Sequence, residues 1–225
     1  MSVAPRIDEP VTYPESDGRP MSDNTVQFRW ITTLVLNIDA LRDDFVAGDL
    51  LWYPVEGRSD IRVAPDVLVA LGRPKGDRGS YRQWEEGGVA PAVVMEVLSP
   101  NNTAREMIEK LAFYDRYGVQ EFYVLDPDVE VVERFVRRGG VLGPTAPQET
   151  IRSSALGLTF ERADEKLVVR GPDGSPFRSF GELMAERDSA AAERDAAAAE
   201  RDAAKAQAER LAARLRALGV DPDEV

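Results

Sequence analysis

Residues 91–126, PAVVMEVLSPNNTAREMIEKLAFYDRYGVQEFYVLD, constrain the fold more than any other stretch of the chain. An apolar run over 92–97 is interrupted only by Glu96 and closed by Ser99-Pro100-Asn101-Asn102. Thr103 and Glu106 stand at the T-x-x-E spacing of a capping box, in which two side chains satisfy the orphan backbone donors of a helix start. Met107, Ile108, Leu111 and Tyr114 then recur at helical spacing, and Gly118 ends the run as a residue just past a helix does. A second β-rich run, 121–125, stops at Asp126-Pro127. Strand, helix and strand of these lengths form a right-handed crossover, which predicts two parallel strands in one sheet. A carboxylate inside a buried strand is costly unless a partner or a metal neutralises it. Glu96 is therefore the residue that asks for an explanation.

Composition narrows the chemistry. The 225 residues contain no cysteine and no histidine, which excludes disulfides, thiolate chemistry, Cys/His zinc sites and imidazole acid–base catalysis together. What remains is carboxylates, lysine, hydroxyls and a hard cation. No apolar run approaches the ~20 residues of a membrane span, and the first thirty residues lack the apolar core of a signal peptide. The expectation is a soluble cytoplasmic protein with no membrane partner. A net charge of −12 argues against avid non-specific binding of nucleic acid. Charge is uneven, however: Arg73, Lys75, Arg78 and Arg82 face a single Asp77. That stretch reads either as a solvated loop or as a phosphate-contacting one.

In chain order, residues 1–22 are rich in Pro, Asp, Glu and Ser without periodicity and read as an arm. Asp23 or Asn24 can cap a helix whose apolar stripe is Phe28, Ile31, Leu34, Val35, Ile38, Leu41 and Phe45, with Gln27 one turn ahead of Ile31. Residues 46–53 read as one strand around Asp49, and 61–71 as a second, with Pro65 at its start or at a bulge. Residues 72–88 read as a long loop carrying Tyr81 and Trp84. After the central unit, 129–137 reads as a strand, 139–147 as a loop, and 151–160 and 166–169 as short strands of a β extension covering one edge of the sheet. From about residue 180 the composition changes: AERD recurs at 185, 192 and 199, and alanines then leucines alternate at steps of three and four. This is the spacing of a coiled-coil seam, with Gly219 to Pro222 stopping the helix. The expected domains are thus an arm over 1–22, a globular domain over 23–180 and a helical tail over 181–225, the tail making a homodimer.

Asp66, directly after Pro65, and Glu96 are each embedded in apolar strands, so a cation could bridge them where the sheet opens. Mg²⁺ takes oxygen ligands, usually one or two carboxylates with water and substrate phosphate. Lys110 lies one turn from both Glu106 and Tyr114 and borders the buried stripe, so it could reach back to those acids. The plainer alternative is a surface Glu106–Lys110 ion pair. In the active role, loss of Lys110 is expected to cost rate but little stability.

Pro65-Asp66, EVLSP at 96–100 and the run EMIEKLAFYDRYGVQEFYVLDPD together resemble the Uma-type family of putative restriction endonucleases, a branch of the PD-(D/E)xK nuclease superfamily. The likeness runs over about residues 13–138, with a familiar LGVDP in the tail. It implies an α/β, restriction-endonuclease-like core of helix, three strands, helix and strand, that is, a mixed central sheet flanked by helices. It also implies Mg²⁺- or Mn²⁺-dependent hydrolysis of phosphodiester bonds in nucleic acid, DNA being the expected substrate. Matched by motif, Asp66 and Glu96 are the acids, joined as metal ligands by the backbone carbonyl of Val97. Residue 98 is Leu where the family pattern has Lys, and Lys110, in a K-x-x-x-Y context with Tyr114, stands in for it. Gln27 occupies the first-helix position that is polar in relatives and is expected to hold a metal-associated water. The resemblance gives Arg73, Lys75, Arg78 and Arg82 a place as the nucleic-acid-binding loop. The rival readings are a catalytically inactive module of the same fold, assembled by its coiled coil, and a carboxylate–metal hydrolase of small molecules.

Overall fold

The computed structural model describes residues 11–16, 18 and 20–218. They form two compact units that part between Phe177 and Arg178. The end of the tail, where Gly219 to Pro222 were expected to stop the helix, and the first ten residues of the arm lie outside the described residues.

The first unit begins with α1 (Thr25–Leu41), capped by Asn24, whose side chain accepts from the N–H groups of Val26 and Gln27. The buried face is Gln27, Ile31, Leu34 and Ile38. Phe28 and Leu41, expected in that stripe, are exposed, and Phe45 belongs to the following strand, β1 (Asp44–Ala47). The single strand expected over 46–53 is two, β1 and β2 (Trp52–Tyr53), because Asp49 turns the chain between them at φ 48°. Asp tolerates that left-handed conformation better than most residues. β3 (Val67–Pro74) starts after Pro65, which has no N–H for a ladder, rather than at residue 61. The expected 72–88 loop is shortened by the end of β3 and by β4 (Tyr81–Arg82), which pairs parallel with β2.

β5 (Val93–Val97), α2 (Ala104–Tyr117) and β6 (Glu121–Asp126) form the expected crossover, with β5 and β6 parallel. Gly118 closes α2 in the left-handed region at φ 98°. β7 (Val131–Arg138) is the strand expected over 129–137, and β8 (Val141–Pro144) pairs with it as a hairpin inside the expected 139–147 loop. The resulting six-stranded mixed sheet runs β1-β3-β5-β6-β7-β8. Alternation sorts its side chains. Val67, Val69, Val93, Met95, Val97, Tyr123 and Leu125 pack with α1. Leu68, Ala70, Val94, Phe122 and Val124 pack with Tyr114, Met107 and Leu111 of α2.

The run 151–160 is not one strand but parts of two, β9 (Thr150–Arg152) and β10 (Thr159–Ala163), joined antiparallel to β11 (Lys166–Arg170). This small sheet covers a face, not an edge: Ile151, Leu158, Phe160, Leu167 and Val169 share one core with Ile31, Leu34 and Ile38. Its alternating apolar residues form a flat surface, and only the face of another layer can bury such a surface. The second unit is α3 (Phe180–Ala217), opened by a reciprocal capping box between Ser179 and Glu182, with none of its side chains buried.

Candidate active site

The site grows from the end of one strand. Val67 is opposite Met95, so beyond that rung β5 has no ladder partner on the β3 side. Side chains supply it. Asp66 Oδ2 accepts from Val97 N–H at 2.7 Å, and Gln27 Nε2 donates to the Val97 carbonyl at 2.8 Å. Gln27 Oε1 in turn accepts from Asp23 N–H at 2.7 Å, so the amide expected to hold water instead links α1 to the strand end. Asp23 also accepts from Ser99 Oγ at 2.5 Å, tying the start of α1 to the turn after β5.

Alternation puts Asp66 and Glu96 on the face that α2 covers. Glu96 is 2% exposed. Its Oε2 accepts from Lys110 Nζ at 2.8 Å, and its Oε1 from the Tyr114 hydroxyl. The helix thus delivers Lys110 and Tyr114, one turn apart, to the two oxygens of one carboxylate. Lys110 pairs with Glu96 rather than with Glu106, which removes the plain surface-pair reading. The capping box expected at α2 is half present: Thr103 accepts from Glu106 N–H, but the Glu106 side chain lines the cleft.

The protonation states follow from these contacts. Burial pulls the Lys110 pKa down, but the adjacent Glu96, by charge and hydrogen bond, and then Asp66, leave it raised overall. The amine is an ammonium at neutral pH and cannot act as a base. Burial, reinforced by the Glu96 carboxylate, holds the Tyr114 hydroxyl well above its ordinary pKa, so it remains a donor. Asp66 is pushed up to about 8, first by burial and then by the charge of Glu96, against the opposing pull of Val97 N–H and Lys110. Asp66 therefore largely holds its proton at neutral pH, because the one ammonium is already paired with Glu96, an imbalance of two acids to one fixed cation.

A divalent cation fits that imbalance. Asp66 Oδ1 accepts no hydrogen bond among the described residues, and the Val97 carbonyl, like any carbonyl, has a second lone pair beside the one Gln27 uses. Among the described residues no three acids close into a ready-made metal cage. One or two carboxylates completed by water suit Mg²⁺ and Mn²⁺ rather than a fully protein-ligated ion. Asp66 and Lys110 line a cleft of about 460 Å³ together with Asp23, Asp49, Glu106 and Arg62, and Glu96 lies buried behind Lys110. Asp49 was legible only as a polar residue within a strand; its N–H donates to the Pro65 carbonyl at 3.1 Å, which holds it beside Asp66. Leu98 lies on the α2 face, as alternation from Glu96 requires, but lines a separate apolar groove with Met107, Ile108 and Leu111.

The four loop cations expected to meet nucleic acid do not line this cleft. Arg73 donates to the carbonyls of Gly72 and Glu86. Lys75 pairs with Asp39 at 3.2 Å. Arg78 pairs with Glu86 at 2.6 Å, both largely buried, and its guanidinium lies 3.9 Å from the centre of the Phe45 ring. Arg82 pairs with Glu85 at 3.2 Å and lies over Tyr13.

A mixed sheet flanked by helices, with two acids at strand ends and a lysine on the crossover helix, defines a nuclease-like protein. The model of the Uma2 family, described as "Putative restriction endonuclease", matches residues 16–169, and the chain belongs to that family. No curated protein matches it. Among solved structures, one described as a putative nuclease from Anabaena variabilis ATCC 29413 is similar at 14% identity and a TM-score of 0.45, covering 64% of this chain and 82% of its own. No helix among the described residues is long and apolar enough to cross a membrane.

Proposed function

We propose that the protein is a Mg²⁺- or Mn²⁺-dependent endonuclease that hydrolyses phosphodiester bonds of DNA in the cytoplasm. The observation that carries this reading is the placing of Asp66 and Lys110 on one cleft, with Glu96 buried against Lys110 behind them. Asp66, Glu96 and the Val97 carbonyl hold the ion, which supplies a Lewis acid for the phosphoryl oxygen and makes water more acidic. Lys110 keeps its proton and places a positive charge where the attacked phosphate becomes more negative. Tyr114 fixes the second oxygen of Glu96, and Gln27 fixes the Val97 carbonyl, so the ligands are held before substrate arrives. Of the loop cations, Lys75 and Arg82 hold the more exposed pairs, with Asp39 and Glu85, and such pairs contribute about 0–1 kcal/mol, so either can yield to a phosphate at little cost.

A second reading has one observation in its favour. Both oxygens of Glu96 and the Val97 carbonyl already have partners within the chain, as they would in a nuclease fold kept as an interaction module. Cleavage assays on duplex DNA, single-stranded DNA and RNA with Mg²⁺ or Mn²⁺, beside an Asp66→Ala control, separate the two. Metal-dependent cleavage that Asp66→Ala abolishes is the expected result. No cleavage of any substrate by the parent protein leaves the module. We also propose that α3 joins two copies through its three-and-four seam. Deleting 182–218 should then lower the sedimentation mass of the complex from dimer to monomer, and an unchanged subunit count would rule that role out.

A further inference from the structure

The cleft is acidic, yet a nucleic acid must approach it, and the cations expected to attract that substrate are committed elsewhere. Apart from Lys110, the cation lining the cleft among the described residues is Arg62. It is exposed, and it makes no salt bridge among the described residues. Among the described residues its guanidinium donates to the Ser59 carbonyl, at 2.7 Å. The nearest acid in sequence, Asp60, has both oxygens taken by Arg58, at 2.8 and 2.6 Å. The position of Arg62 is nonetheless firm. Val63 and Trp52 exchange both backbone hydrogen bonds, at 3.2 and 2.8 Å, and Trp52 is fully buried. The chain then runs through Ala64 and Pro65 to Asp66, and a residue before proline favours extended backbone.

We infer that Arg62 binds the DNA backbone at a phosphate flanking the bond that is cut. The inference rests on the nuclease reading above and extends it to how the substrate is held. Four residues of chain separate Arg62 from Asp66, a span of at most about 14 Å. Arg62 and Asp66 line the same cleft, so a substrate with a phosphate at Asp66 can reach Arg62 with a neighbouring one. A guanidinium there offers a planar fork to phosphate oxygens, and to do so it gives up one backbone contact and its attraction to the exposed Asp60, which Arg58 already pairs. By contrast, Arg78 would have to break a buried ion pair to do the same.

The test measures binding of a fluorescein-labelled mixed-sequence DNA duplex by anisotropy, over a range of salt, with Ca²⁺ replacing Mg²⁺ to suppress cleavage. One lost phosphate contact makes the slope of log K against log salt shallower by about 0.9. Arg62→Gln should show that change with weaker affinity on every sequence, and Arg62→Lys should restore the slope. In plasmid cleavage, Arg62→Gln should raise KM with little change in kcat, and Arg78→Gln serves as the comparison. Gln keeps a donor for the Ser59 carbonyl, and an unchanged melting temperature confirms that the variant is folded. Wild-type slope and affinity in Arg62→Gln overturn the inference and leave the nuclease reading standing. Weaker affinity at unchanged slope also overturns it, since that marks a structural rather than a phosphate-contacting role. A parent protein that neither binds nor cleaves DNA overturns both.

Discussion

Glu96 and Glu121 stand on neighbouring strands, are 2% and 3% exposed, and each accepts a tyrosine hydroxyl. Their surroundings differ in one respect that decides what each does. Glu121 points to the α1 face, where it accepts from Tyr123 Oη at 2.7 Å, Ser153 Oγ at 2.5 Å, and the N–H groups of Ser154 at 2.9 Å and Ala155 at 3.1 Å. Four neutral donors saturate one carboxylate and clamp the small sheet to the large one. Glu96 points to the α2 face and pairs with Lys110, which lines a cleft together with a second acid, Asp66. A buried acid is a staple where hydrogen bonds alone satisfy it. It becomes part of a site where its partner is a charged group that lines an open cleft.

That contrast can be broken at several points. Calorimetry should find Mg²⁺ or Mn²⁺ binding abolished by Asp66→Asn and by Glu96→Gln, and intact in Glu121→Gln; binding that survives the first two would move the ion elsewhere. Next in size, Lys110→Ala should slow cleavage by about 10²–10⁴-fold, the range of a single positioned acid–base or charged group. The structure corrects the expectation that this lysine is cheap to lose. With Glu96 left buried and unpaired, denaturant melts should show a loss on the order of 3–5 kcal/mol, recovered in part by adding Glu96→Gln. A normal rate from a folded Lys110→Ala would remove Lys110 from the mechanism.

Glu121→Ala strands two hydroxyls and two N–H groups, each worth about 1–3 kcal/mol when buried without a partner. Relaxation and water should reduce the total to about 3 kcal/mol of stability, with metal affinity unchanged. A shift in metal affinity would show that the two glutamates are coupled.

The smallest expected effect concerns pH. Asp66 is raised in the folded protein, to about 8 from an ordinary 3.8, so the fold holds a proton that the unfolded chain releases. Metal-free protein should therefore lose stability as pH rises from about 4 to about 8 and then level off. Asp66→Asn keeps an acceptor for Val97 N–H and removes that charge, so it should flatten the slope and stabilise the protein at pH 9 by on the order of 1–3 kcal/mol. A slope unchanged by the substitution would place the titrating group elsewhere.

Local signals carry much of the fold and part of the site. Thr103, Gly118 and the breaker at 99–102 delimit α2, and the rise of that helix is enough, on spacing alone, to bring Lys110 back to Glu96. What the sequence hides depends on contacts between distant segments. Asp49 joins the cleft only because β1 and β2 separate around it. The loop arginines look available in the sequence because Glu86 and Asp39 become partners of that loop only once the chain is folded. Glu121 reads as the start of a strand, since its four donors come from Tyr123 and from the turn at 153–155. The 151–170 region shows alternation, but alternation does not say whether a sheet covers a face or an edge.

The place of Leu98 has an evolutionary consequence. In the family pattern the lysine stands two residues after the glutamate, whereas here the ammonium comes from α2 and Leu98 packs beside Met107 and Leu111. Moving the lysine back requires two changes, and each alone gives a poorer protein. Leu98→Lys first forfeits about 1.5–3 kcal/mol of apolar burial and drives a second ammonium toward an acid that already has one. Losing Lys110 first leaves Glu96 buried without a cation. Both orders cross a valley, so the packing around residue 98 and the burial of Glu96 favour keeping the lysine on the helix.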